Sequence, residues 1–142
     1  MKLPTHISRR DFMKTASALT GALMLPRMPT FSAEPDALGP LLPTRPLGNT
    51  GLNVTVYCVG GHHIGDKTDA VARATIERSI ERGVRFFDTA ESYQRGHSEA
   101  QIGRFLKPRM RDHSVILSKT KATDGDEAAR DIRESLDRLR TD

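Results

Sequence analysis

Three short apolar runs, each followed by a helix-forming segment, constrain this chain more than any other feature. Val56-Tyr57-Cys58-Val59 ends at Gly60-Gly61, Val84-Arg85-Phe86-Phe87 ends at Asp88, and Ser114-Val115-Ile116-Leu117-Ser118 ends at Lys119. Each reads as a buried strand. Thr68 is placed to cap a helix over Asp69 to Arg82, in which Ala72, Ile76 and Ile80 recur on one face and Gly83 closes the end. Ser98 with Gln101 three positions on reads as a capping box for a helix through Leu106, with Ile102, Phe105 and Leu106 as its apolar side. A third helix, from about Gly125 to Leu139, carries Ile132, Leu136 and Leu139 on one side. Upstream, Gly48-Asn49-Thr50-Gly51 marks the turn of a small hairpin between Arg45-Pro46-Leu47 and Leu52-Asn53-Val54-Thr55. Strands that alternate with amphipathic helices imply a parallel sheet covered by helices. A doubly wound sheet and a barrel both satisfy that pattern.

The segment before this body has a different character. Ser8-Arg9-Arg10-Asp11-Phe12-Met13-Lys14 reads as a twin-arginine export signal, and an uncharged stretch from Thr15 to Leu25 follows it. That stretch is about half the roughly 20 residues a membrane-spanning helix needs, so a stable span is not expected. Ser32 or Ala33 is a plausible end of the signal, which places a signal peptide at residues 1–33. Pro35, Pro40 and Pro43 make residues 34–43 a proline-rich linker, and the folded body is expected over residues 44–142. The twin-arginine machinery is then a partner during export, and the destination is periplasmic or extracellular. That pathway carries folded proteins, which suits an enzyme loaded with a cofactor before export.

Charge and cysteine content exclude several classes. Of the 22 Lys/Arg and 18 Asp/Glu, five and one precede Glu34, which leaves 17 of each in the rest of the chain. The net charge of +4 therefore belongs to the leader. No basic stripe with interleaved aromatics remains to suggest nucleic acid. A single cysteine, Cys58, rules out an internal disulfide framework and a multi-cysteine metal site. His62 and His63 are adjacent, so both cannot face one point, and no third ligand accompanies them; no metal site is expected.

Asp88, Tyr93 and Lys119 sit at or just beyond strand ends, the edge where parallel α/β folds gather their active sites. Alone, each has an ordinary explanation: a turn acid, a packed loop aromatic, a solvated lysine. Together they have a mechanism. A phenol is a weak acid near neutral pH, with a reference pKa of about 10. A nearby ammonium favours the phenolate, and a carboxylate can hold that ammonium in place. Such a phenol can give a proton to a carbonyl oxygen while hydride reaches the carbon. Arg95 and His97, close to Tyr93, read as solvated loop residues, with substrate contact as the alternative.

Several segments resemble the aldo-keto reductase family. Arg45-Pro46-Leu47-Gly48-Asn49-Thr50-Gly51-Leu52-Asn53-Val54 is similar to that family's entry hairpin. Gly83-Val84-Arg85-Phe86-Phe87-Asp88-Thr89-Ala90-Glu91-Ser92-Tyr93 resembles its second strand and loop. Gly96-His97-Ser98-Glu99, Ile102-Gly103, Ile116-Leu117-Ser118-Lys119-Thr120 and Glu134-Ser135-Leu136-Asp137-Arg138-Leu139 continue the pattern. The resemblance implies a (β/α)8 TIM barrel, of which about the first three strand–helix units are present. It also implies NADP(H) as cofactor and a small carbonyl substrate, an aldehyde or a ketone. Carried over, Tyr93 would be the proton donor, Lys119 would assist its ionisation, and Asp88 would pair with Lys119. Gly60, Gly61 and His62, with Asp88, would lie near the nicotinamide. Two positions depart from the pattern. Cys58 stands where a glycine is common and reads as packed core, and His62-His63 replaces the more usual Thr or aromatic pair.

A complete barrel takes about 250 residues. The resemblance also places a fourth catalytic residue, a histidine, on the strand that would follow Asp142. Three units leave sheet edges unpaired. These 142 residues by themselves are thus expected to be a truncated form with little or no reductase activity; steady NADPH consumption lost on Tyr93→Phe would overturn that expectation. The alternatives are a non-catalytic binding protein on the same scaffold and an inactive fragment.

Overall fold

The computed structural model describes residues 34–142, so the twin-arginine segment and its apolar run lie outside the described residues. Strands β1 (Thr44–Pro46) and β2 (Asn53–Thr55) pair antiparallel, with Thr44 opposite Thr55, and form the hairpin that the glycine-flanked turn implies. Then come β3 (Val59–Gly60), α1 (Asp69–Glu81), β4 (Phe86–Asp88), α2 (His97–Phe105), α3 (Pro108–Arg111), β5 (Val115–Leu117) and α4 (Gly125–Leu139). Strands β3, β4 and β5 form one parallel sheet in that order. Val59, Phe87 and Ile116 share one row of the register, and Gly60, Asp88 and Leu117 share the next.

Successive residues of a strand point to opposite faces. Phe87 is fully buried, and Val59 and Ile116 pack on the same cluster as Ile64, Ala72, Ile76, Ile80, Ile102, Phe105, Leu106 and Leu139. Helices α1, α2 and α4 all contribute to that cluster, so they cover a single face. A doubly wound sheet has helices on both faces, whereas a barrel has them only outside. One-sided cover therefore decides the alternative that periodicity leaves open: the described residues are a barrel-type α/β segment. The opposite face carries Phe86, Asp88, Val115 and Leu117.

Three details differ from the sequence reading. The first strand of the sheet is shorter and begins later than the run Val56–Val59. Thr55 Oγ1 donates to the Tyr57 carbonyl at 2.7 Å and accepts the Arg85 N–H at 3.2 Å, so residues 56–58 bend away before pairing starts at Val59. The expected Ser98 capping box is absent. Helix α2 is capped by Gly96 in the left-handed region (φ 83°) without a side-chain bond, because the Ser98 hydroxyl bonds across to other elements. The short helix α3, started by Pro108 at a position where proline suits a helix, was not expected.

The proline-rich segment is hydrogen-bonded to the body. Arg85, 4% exposed, donates from Nε and Nη2 to both carboxylate oxygens of Asp36 at 2.7 and 2.8 Å. The Leu42 N–H donates to the Gly83 carbonyl at 3.0 Å. The Arg85 guanidinium holds the Asp36 carboxyl below the ordinary carboxylate range, against the opposing effect of burial. A carboxyl depressed on folding stabilises at pH values above its unfolded value and loses that contribution as pH falls through the folded one. Asp36→Asn is accordingly expected to cost about 2–3 kcal/mol near pH 7, the low end for a buried pair because Asp36 is partly exposed. The difference from wild type is expected to shrink below about pH 4. Urea unfolding at pH 7 and pH 3 checks both halves; equal losses at both would contradict it.

Candidate active site at the strand ends

The register fixes which side chains can meet. Asp88 ends β4 on the face away from the helices, and Lys119, two residues beyond Leu117, returns to that same side. Lys119 Nζ donates to Asp88 Oδ1 and to the Thr89 carbonyl, both at 2.5 Å. The two side chains are 42% and 29% exposed. A pair this accessible contributes at most about 1 kcal/mol to stability, so its consequence is positional: it fixes an ammonium over the strand ends.

Tyr93 completes the grouping. The Lys119 ammonium lies 5.1 Å from the centre of the Tyr93 ring, within cation–π range. The His62 ring meets Tyr93 edge-on at 4.9 Å, and His63 meets His62 edge-on at 5.0 Å. The chain beyond Tyr93 turns through Gln94 and Arg95, both in the left-handed region at φ 48° and 56°, and then Gly96. Two non-glycine residues there cost on the order of 1–2 kcal/mol each. That bend starts α2 immediately behind the tyrosine.

Asp88, Tyr93, Lys119 and His62 are thus brought together at one edge of the sheet. Gly60 is exposed beside them, opposite Asp88 in the register, with open space where a side chain would begin. Gly61 is buried instead. A Cβ there would stand 2.7 Å from the Asp88 carbonyl oxygen and 2.8 Å from Ser98 Oγ, so glycine is required for strand-to-helix approach. Arg95 is exposed on the loop, and His97 Nδ1 is 2.5 Å from the Gly65 carbonyl. Cys58 is half-buried; burial pushes its thiol up, Asp88 adds to that and Lys119 opposes it, so the thiol is held protonated near the same edge. Among the described residues, no group of three His, Cys, Asp or Glu side chains could hold a metal ion. No helix among them is long and apolar enough to cross a membrane.

One part of the site was not foreseen. Glu99 is 0% exposed, and its carboxylate accepts from Ser118 Oγ at 2.5 Å and from Arg138 Nε at 2.7 Å. A glutamate is almost never fully buried unless paired, and its partners lie 19 and 39 residues away in sequence. No local pattern announces such a contact.

The family profile described as "Aldo/keto reductase family" matches residues 57–142. A second profile, the twin-arginine translocation pathway signal sequence, matches residues 6–26. The chain is 32% identical over 110 residues to an L-galactose dehydrogenase of Arabidopsis thaliana, covering 69% of this chain and 34% of that protein. A structure of a putative aldo-keto reductase from Pseudomonas aeruginosa is 32% identical, with a TM-score of 0.63 over 70% of this chain and 42% of that one. An aldo-keto reductase from Klebsiella pneumoniae solved in complex with NADPH is 28% identical, with a TM-score of 0.59 over 63% of this chain and 33% of that one. The chain spans between 22% and 35% of the length of such curated relatives.

Proposed function

The chain belongs to the aldo/keto reductase family and carries a twin-arginine signal sequence, and from that premise we propose that it serves an exported, NADPH-dependent reductase of an aldehyde or ketone. The observation that carries this reading is the line of His62, Tyr93, Lys119 and Asp88 at one strand-end edge. Tyr93 Oη gives its proton to the carbonyl oxygen as that oxygen gains charge. The Lys119 ammonium places positive charge beside the ring on which negative charge is left, and Asp88 keeps Lys119 over the ring. His62 packs edge-on against Tyr93 and restricts how a carbonyl compound approaches the hydroxyl.

The residues present suit a nicotinamide cofactor. Gly60 offers a ledge free of side chain beside Asp88, which a flat ring can approach closely. Gly60, His62 and Asp88 would border the nicotinamide, with the buried Gly61 holding the ledge against α2. When bound, NADPH supplies the hydride that reaches the carbonyl carbon. Support for this cofactor is the NADPH complex of the Klebsiella pneumoniae relative. Aldoses belong in the panel as hydride donors to NADP+, because one relative is an L-galactose dehydrogenase.

The experiment is carbonyl-dependent oxidation of NADPH by the full gene product with aldehydes and ketones, and aldose-dependent reduction of NADP+ by the same protein. The expected result is turnover with at least one carbonyl class. Absence of carbonyl-dependent oxidation across the panel, in a protein that binds NADPH, would sink the proposal. Export is tested separately: Arg9→Lys with Arg10→Lys is expected to retain the protein in the cytoplasm.

A further inference from the structure

Asp88, Lys119 and His62 each have a chain neighbour on the side away from the site, and those neighbours converge on one turn of α2. Thr89 follows Asp88, Ser118 precedes Lys119, and Gly61 precedes His62. Ser98 Oγ donates to the Gly61 carbonyl at 2.8 Å and lies 2.8 Å from Thr89 Oγ1. The Ser98 N–H donates to the Tyr93 carbonyl at 3.4 Å. Glu99, the next residue, takes the Ser118 hydroxyl at 2.5 Å. Ser98, Thr89 and Glu99 are each 0% exposed. Two consecutive side chains therefore tie together the ends of β3, β4 and β5 on the side away from the site.

We propose that Ser98 and Glu99 are positioning residues that set the distance between Asp88, Tyr93 and Lys119, with Glu99 acting on Lys119 through Ser118. The charge of Glu99 matters to this role. Burying a carboxylate is costly unless it is paired and hydrogen-bonded, and Arg138 from α4 supplies the counter-charge at 2.7 Å. Arg138 in turn reaches Glu134 at 3.2 Å. With both oxygens occupied, the carboxylate has one arrangement, and so does the Ser118 hydroxyl it receives. Because alternate strand residues face opposite ways, a fixed Ser118 dictates where the Lys119 stem leaves the strand. A bond to an ionised acceptor is roughly twice as strong as a neutral one, which suits a hydroxyl asked to hold a strand end that, among the described residues, is paired on one side only. A solvated Glu in the first turn of a helix would give the dipole stabilisation alone and would need neither burial nor Ser118.

This inference rests on the proposed role of Lys119, but its test does not require turnover. Lys119 is pinned by Asp88 and Thr89, and Lys121, likewise exposed two residues on, serves as the internal reference. Brief acetylation of the folded full protein, read by peptide mass spectrometry, gives the reactivity of Lys119 relative to Lys121 in the same molecule. Ser118→Ala keeps the Glu99–Arg138 pair and removes only the hydroxyl. It is expected to raise that ratio on the order of tenfold, the population change that goes with losing one charge-assisted hydrogen bond. Ser118→Thr, which restores a hydroxyl, is expected to return the ratio to near wild type. Asp36→Asn, destabilising but remote, is expected to leave it unchanged. In turnover, Ser118→Ala is expected to lower kcat with the KM for NADPH unaltered. An unchanged Lys119 ratio in folded Ser118→Ala, or an equal rise in Asp36→Asn, would overturn the proposal. Wild-type protein that fails to reduce any carbonyl would defeat the proposed function while leaving the labelling comparison intact.

Discussion

Tyr93→Phe is expected to lower the rate of carbonyl reduction about 10²- to 10⁴-fold, the range for loss of a positioned proton donor, with the fold and NADPH affinity kept. The substitution deletes one hydroxyl and retains the ring. The edge-on contact with His62 and the Lys119 approach to the ring centre both depend on the ring alone. The left-handed bend at Gln94 and Arg95 is backbone structure and is unaffected. What disappears is the group able to protonate the nascent alkoxide. The loss is therefore expected in kcat, with KM little changed, because the interaction is made as charge develops on the oxygen. Kinetics at saturating NADPH, with a thermal melt of the same sample, checks both parts. A fall in activity that tracks a fall in melting temperature would assign the effect to stability instead.

Gly103→Ala is expected to undo the docking of α4. A Cβ at Gly103 in α2 would stand 2.3 Å from the Arg138 carbonyl oxygen and 2.7 Å from the Leu139 backbone carbons. These obstacles are backbone, so no rotamer change relieves them. Overpacking ordinarily costs about 1–3 kcal/mol. Here the upper end or more is expected, and the cheapest relief is for α4 to move away. Leu139 would then leave the core cluster and Arg138 would leave the buried Glu99 carboxylate. Hydrogen exchange locates the damage: the amides of α4 are expected to exchange much faster, while those of α1 keep their protection. Gly125→Ala is the control, because nothing lies within 4 Å of its would-be Cβ. That variant is expected to be neutral or slightly stabilising. Equal protection of α4 in Gly103→Ala and wild type would contradict the packing argument.

Features with a local cause could be read from the sequence. Thr68 does cap α1, Gly83 does close it in the left-handed region, and Ala72, Ile76 and Ile80 are its buried stripe. Periodicity and end signals act within one or two turns, which is why they transfer directly to structure. The meeting of Asp88 with Lys119 also followed, because both lie at the ends of adjacent parallel strands. The remainder depends on long-range partners. Ser98 has the spacing of a capping residue, yet its hydroxyl is taken by Gly61 and Thr89, which belong to other elements. Glu99 lies in the first turn of α2, and only the arrival of Ser118 and Arg138 makes it a buried, paired anion. Val56 and Tyr57 have strand propensity, but Thr55 competes for their neighbours and leaves them 47% and 61% exposed. Propensity describes a residue by itself, whereas these outcomes depend on which distant groups take the hydrogen bonds.

The edge formed by Asp88, Tyr93 and Lys119 is proposed to deliver a proton to a carbonyl oxygen while hydride goes to its carbon. The direct measurement supplies the full gene product with NADPH deuterated at the transferable position and with a carbonyl compound it turns over, then locates the label by NMR. One deuterium is expected on the former carbonyl carbon of the alcohol for each NADPH oxidised, with formation of labelled alcohol nearly abolished in Tyr93→Phe. Unlabelled product, or labelled alcohol formed at an undiminished rate by folded Tyr93→Phe, would contradict it.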